Sequence, residues 1–290
     1  MGLALASRHV MLIVITVVVL AWAPTLRDLA AIWATSRYAS HGFCVAAFAV
    51  YAAWDRRSEL PRPVWRPGPR GRLVLVLAAT LLGAGYATGS LTLRALSLPV
   101  AGLALAELTL GAGGARTLRF PLAFFLLAVP LPAATLAWLS RLTQSLAAVA
   151  AEDVLVLLRI PVVRDGLTLS IGSIDLQVTE ACNGLPFLLA SVVVGVAAAW
   201  ALQTGTRHRL TILALAVLGG IVANPVRLAG TAVLASIEPA AVVGTPHWLF
   251  GKLVYLAVAA TVAAAATGLL RCSGRPWRIR VAGQAHRGDA

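Results

Sequence analysis

Read for hydrophobic and polar positions, the chain is a succession of long apolar runs separated by short clusters of arginine, proline and glycine. Crossing a hydrocarbon core takes roughly 20 apolar residues per helix. The pattern predicts spans near 9–24, 40–54, 73–90, 96–112, 120–139, 184–203, 210–230 and 249–270. The second is short, the third and fourth are interrupted by glycines and Arg94, and the last three are the clearest. One stretch has a different period. In "VVRDGLTLSIGSIDLQV" (162–178), Leu167, Leu169 and Ile171 alternate with Thr168 and Ser170, and Ile174, Leu176 and Val178 alternate with Asp175 and Gln177. Gly172-Ser173 supplies a two-residue turn with glycine first, so the segment predicts a β-hairpin. The edges of an open hairpin cannot be satisfied by lipid, which places it outside the hydrocarbon. The expected fold is an all-α polytopic membrane protein of about eight transmembrane helices, with a short exterior β-hairpin before the sixth.

Composition agrees with the pattern. Of 290 residues 59% are hydrophobic and 12% charged, with mean hydropathy +0.86, far from soluble domains. The first span ends in Ala21-Trp22-Ala23, which has the look of a signal-peptide cleavage site; Pro24 directly after it makes a poor junction, so a retained helix is expected.

A net charge of +13 raises the question of nucleic acid, and the placement of the charges answers against it. Of 24 basic residues, 16 fall on one set of loops: Arg8, six from Arg56 to Arg72, Arg116 and Arg119, Arg207 and Arg209, and five from Arg271 to Arg287. Only six fall on the other: Arg27, Arg37, Arg94, Arg141, Arg159 and Arg164. The positive-inside rule then puts both termini in the cytoplasm, as an even number of spans requires. Residues 1–290 read as a single integral membrane domain, with a basic, Pro-rich cytoplasmic loop at 55–72 and a basic cytoplasmic tail at 271–290.

The three cysteines differ in setting. Cys44 falls inside a predicted span and reads as a small buried hydrophobe. Cys272 falls on the reducing side. Cys182 stands alone on the outer side, where the strand pattern gives way to the sixth span. No Cys/His spacing suggests a metal, and nothing calls for a cofactor. The first turn of a helix carries free N–H groups and the positive end of its dipole, which favour a thiolate. Asn183 reads as its cap, and Gly184 as a point of close approach for a substrate backbone. Alternatively, Cys182 is a small residue at a helix start and nothing more.

Two further exterior span ends bring candidates to the same face. "ANPVRLAG" places Arg227 near the outer end of the seventh span, where an arginine either snorkels or serves a function. His247 opens the last span beside Trp248 and Phe250, which fit an interfacial aromatic belt. Cys, Arg and His at similar depth form a chemical set: a thiolate nucleophile, a cation for the oxyanion, and an acid/base. Glu180 orients a partner, holds a substrate peptide or is simply solvated, and Glu107, inside a predicted span, is a candidate for a buried polar contact. A serine nucleophile elbow and a phosphate-binding glycine loop are both missing from the sequence.

"EACNGL" (180–185), "NPVR" (224–227) and His247 before the last span resemble the signature of the exosortase/archaeosortase family, over roughly residues 162–250. The resemblance implies a membrane cysteine transpeptidase. Its protein substrates would carry a C-terminal sorting signal of the PEP-CTERM type: a motif, a transmembrane helix and a basic tail. It implies Cys182 as nucleophile, His247 as acid/base and Arg227 as transition-state stabiliser, with Asn224 supporting the site and 162–183 forming the approach to it. Where the family more often has serine after the cysteine, this chain has Asn183. Implied partners are the tailed proteins, an amine-bearing acceptor or water, and the lipid bilayer, with no nucleic acid. The implied location is the cytoplasmic (inner) membrane with the site on its exterior face. Two rivals remain: a thiol enzyme acting on a lipid or acyl substrate, and a non-enzymatic transporter or scaffold.

Overall fold

The computed structural model describes residues 2–65, 68–172, 174–202, 205–237 and 245–272. Among these, nine α-helices and three short strands follow one another as α1 Gly2–Thr35, α2 Gly42–Asp55, α3 Pro69–Ala87, α4 Leu91–Thr109, α5 Gly111–Phe125, α6 Ala133–Leu157, β1 Val163–Asp165, β2 Thr168–Ile171, β3 Ile174–Gln177, α7 Leu185–Ala201, α8 Thr206–Ile237 and α9 Thr245–Cys272. By length and apolarity, four helical segments qualify to cross a membrane: His9–Thr35, Pro69–Ala87, Leu91–Thr109 and Thr206–Ile237. A fifth is added if Gly111–Ala128 and Ala133–Leu157 are taken together as one broken span. Large hydrophobics such as Leu20, Val50, Leu73, Val194 and Leu210 point outward, as lipid-facing side chains do.

The expected count of eight spans is not reproduced by that measure. The run at 40–54 falls on the 14-residue α2 and that at 184–203 on the 17-residue α7; at 1.5 Å per residue these reach only about 21 and 26 Å. The run at 120–139 is not one helix. It is interrupted by a 3-10 turn at Leu126–Ala128 and an extended stretch holding Pro130 and Pro132, because proline lacks an N–H and drives the residue before it out of the helical region. Pro24, by contrast, is absorbed inside α1, which continues to Thr35. Cys44 is also a correction: it is exposed on α2, not buried.

The helices divide into two compact units, one up to Pro132 and one from Ala133 onward. In the first, α3 and α4 form a hairpin whose turn uses Gly89 at φ +66°, a left-handed conformation glycine adopts freely. Arg94, expected in a loop, lies in the first turn of α4 and pairs with Asp28 of α1 at 2.7 Å. Ser97 accepts from Trp22 Nε1 at 2.7 Å, so α1 and α4 are also joined by a neutral bond in an apolar setting. Glu107 is half-buried.

The second unit is built around α8, which packs against α6, α7 and α9. The strands form an antiparallel meander, β1-β2-β3, not the two-stranded hairpin expected. Val163 pairs with Ser170 and Asp165 with Thr168 across a two-residue turn that has Gly166 at φ +58°, the counterpart of Gly172 at φ +61° in the next turn. One face of the sheet is apolar. Leu169 and Val178 pack with Ala147, Ala148 and Ala151 of α6 and Leu228 of α8, and Ile171 with Leu155, Ala229 and Ala232. An ion pair from Arg164 Nε to Glu152 at 2.6 Å ties β1 to α6.

Candidate active site

The chain leaves β3 through Val178 and makes a 3-10 turn at Glu180–Cys182 before entering α7. The Cys182 N–H donates to Thr179 O at 2.9 Å. Cys182 therefore precedes the helix and is not in its first turn, which corrects the expectation that helix N–H groups activate it. Those groups are occupied. Leu185 N–H donates to Asn183 Oδ1 at 3.0 Å, Pro186 has none, and Phe187 N–H donates to Gly184 O at 3.1 Å. An oxyanion formed at Cys182 must find its donors elsewhere.

Arg227 stands beside Cys182. It is 7% exposed, buried in α8, and its Nη2 lies 3.9 Å from Cys182 Sγ. The helix continues ten residues past it to Ile237. Those last turns carry the sheet through Leu228, Ala229 and Ala232. Arg227 is thus enclosed, with the sheet resting on the same helix toward its C-terminus. An arginine's planar fork suits it to bind an oxygen that develops negative charge.

One asparagine fixes the cysteine's backbone and a second fixes the start of α7 just after it. Asn224 Nδ2 donates to Cys182 O at 2.8 Å. Asn224 and Arg227 are three residues apart and so share a face of α8. Pro225 between them withholds the N–H that would bond to the carbonyl one turn earlier. Asn183, 1% exposed, caps α7 through an Asx-type bond while its Nδ2 donates to Ser140 Oγ of α6 at 2.7 Å. Asn183 does act as a cap, reaching the helix from one residue before the N-cap glycine.

Gly184 has a different role from the one expected. At φ +71°, a Cβ on it would lie 2.5 Å from Asn224 Cγ. Its open side faces Asn224 and leaves no room there for a substrate backbone. Gly184→Ala should therefore destabilise the protein beyond the roughly 1–2 kcal/mol that a left-handed non-glycine residue costs. Gly166→Ala pays only that cost, because nothing lies within 4 Å of its Cβ position. Thermal unfolding in detergent should show a clearly lower midpoint for Gly184→Ala; equal midpoints would contradict the packing.

The structure brings Cys182, Asn183, Gly184, Asn224 and Arg227 together. Glu180 is adjacent in the turn and exposed. His247 falls in the first turn of α9, and its side chain lies outside the described residues. Four residues, one helical turn, separate it from Gly251, whose Cβ position is 3.1 Å from Arg227 Nε. Sequence reasoning missed Ser140, Gly251 and Tyr255. Ser140 had a signal, since it and Gln144 form a buried i, i+4 polar pair in a largely apolar helix. Tyr255 stacks on Phe187 at 3.4 Å between ring centroids, linking α9 to α7.

Below these residues an apolar groove of about 400 Å³ runs between α7, α8 and α9, from Phe187 and Tyr255 past Gly195 and Gly220 to Ala259 and Thr267. Among the described residues no cluster of His, Cys, Asp and Glu is suited to a metal.

The family model for transmembrane exosortases matches residues 33–264. Searches of curated proteins and of solved structures gave no match.

Proposed function

Because the chain belongs to the transmembrane exosortase family, we propose that it is a membrane cysteine transpeptidase that removes the C-terminal sorting helix of exported proteins, of the PEP-CTERM type, at the outer boundary of the cytoplasmic membrane. The observation that carries this reading is the buried guanidinium of Arg227 3.9 Å from Cys182 Sγ. A guanidinium at that distance can reach an oxyanion on the carbon that Sγ attacks, at hydrogen-bond lengths of about 2.7–3.1 Å.

The steps are those of an acyl transfer. His247 accepts the Cys182 thiol proton, and Sγ bonds to the scissile carbonyl carbon. Arg227 holds the oxyanion. When the C–N bond breaks, His247 returns the proton to the leaving amine, which departs with the C-terminal helix. The rest of the substrate stays on Cys182 as a thioester. An acceptor amine or water attacks this thioester, gives its proton through His247, and releases Sγ. Asn224 holds the nucleophile's backbone and Asn183 the start of α7, and neither carries out chemistry. Both termini, the 55–72 loop and the 271–290 tail lie in the cytoplasm, by the bias of basic residues. The whole chain works as one membrane domain.

A second reading has one specific observation in its favour. The apolar groove below the site has the character of an acyl-chain site, which suits a thiol enzyme with a lipid substrate. Co-expression with tagged proteins ending in a motif, an apolar helix and a basic tail separates the two. The transpeptidase reading expects tail loss with wild type. It expects that loss to fall by about 10²–10⁴-fold with His247→Ala, the size of a general acid/base contribution. Intact tails throughout, with thiol-dependent release or transfer of a lipid acyl group, would favour the lipid reading.

A further inference from the structure

The parity of the β-ladder decides which backbone groups of β3 are spoken for. Val178 N–H donates to Leu167 O at 2.8 Å, and Leu176 and Ile174 stand opposite Leu169 and Ile171. In an antiparallel pair the N–H and C=O of alternate residues face alternate sides. The backbone groups of Val178, Leu176 and Ile174 therefore face β2, and those of Asp175 and Gln177 face outward. Both residues are exposed. β2 is the central strand, so the sheet has two edges. β1 lies beside α6, held by the Arg164–Glu152 pair, and β3 rests on α8 through Leu176. The β3 edge leads directly into the turn that bears Cys182.

Proteins ordinarily blunt such edges, because unpaired N–H and C=O groups template another strand. Here the outward N–H and C=O groups of Asp175 and Gln177, without a backbone partner among the described residues, end five residues before the candidate nucleophile, at most about 17 Å of chain away. We propose that the outer edge of β3 is the docking rail for the extended segment of the substrate that precedes the scissile bond, added to the sheet as a fourth strand. Addition of a peptide to a sheet edge draws affinity from main-chain bonds and leaves side-chain choice to alternate positions. A chain that continues into a membrane helix runs toward the bilayer, as β3 runs toward α7, so the added strand is parallel to β3. The inference rests on the transpeptidase reading above.

Proline tests it, because an outward-facing N–H is the one position in a strand where proline spares the ladder. Gln177→Pro should lower tail loss at least tenfold more than Gln177→Ala, which removes the side chain but keeps the N–H. Equal losses in the two variants would overturn the proposal. A second measurement does not depend on whether the proline variant folds. In a Cys182→Ala background, Asp175→Cys is cross-linked to tailed substrates carrying single cysteines at successive positions upstream of the cleavage point. A strand on the rail gives disulfides at alternate positions; cross-links without that period, or none, count against it. If wild type itself shows no Cys182-dependent tail loss, the transpeptidase reading has failed. If wild type cleaves and the proline and cross-linking results are negative, only the rail has failed.

Discussion

Cys182→Ala should reduce removal of the C-terminal helix by at least about 10⁴-fold, the scale seen when a covalent nucleophile is deleted. The replaced side chain is half-buried between the sheet and α8. Its backbone is held by the Thr179 and Asn224 bonds, which alanine keeps. Expression, membrane insertion and thermal midpoint should therefore stay close to wild type while activity vanishes. Cys182→Ser fits the same space with a far weaker acid, so it should remain near background. Quantitative blotting of tailed and tailless substrate against time checks both. A Cys182→Ala protein that cleaves at an appreciable fraction of the wild-type rate would mean that the nucleophile is not here.

Arg227→Ala should cost about 10²–10³-fold, or about 2.7–4 kcal/mol, in line with loss of one oxyanion donor. The N–H groups at the start of α7 are occupied and that of Cys182 donates to Thr179, while the guanidinium stands 3.9 Å from Sγ. Arg227→Lys should recover only part of the loss, since an ammonium lacks the fork and is more strongly hydrated. Removing a charge makes α8 more apolar, so insertion should persist. Progress curves at saturating substrate should show the fall in the acylation rate. Wild-type rates in Arg227→Ala would remove it from the mechanism and leave it a structural cation.

Much of this was visible along the chain, and the exceptions have physical causes. The period-two alternation at 167–178 gives the β2–β3 hairpin directly. β1 went unseen because Val163-Arg164-Asp165 is too short to show a period, although Gly166-Leu167 puts glycine first in its turn just as Gly172-Ser173 does. α6 was missed because hydropathy averages over Pro130 and Pro132, and because its alanines and buried polar residues dilute the apolar run. The burial of Arg227 could not be read, since α8 runs on past it under the sheet without any change in periodicity. The candidate site residues stand out in the sequence by type: one cysteine where strand gives way to helix, one arginine after Asn-Pro, one histidine at a helix start. What their spacing could not reveal is that Gly184 packs on Asn224 and that Asn183 reaches Ser140, contacts between residues 40 or more positions apart.

The central claim is a covalent one, and the measurement closest to it is capture of the acyl-enzyme. Purified enzyme is mixed with a tailed substrate tagged at its N-terminus, quenched in acid within the first turnover, and its adducts are mapped by mass spectrometry. The account predicts an adduct of the N-terminal part of the substrate on Cys182, cleaved by hydroxylamine as a thioester is and missing from Cys182→Ala. Tail loss that proceeds with no adduct on Cys182, and at full rate in Cys182→Ala, would contradict it.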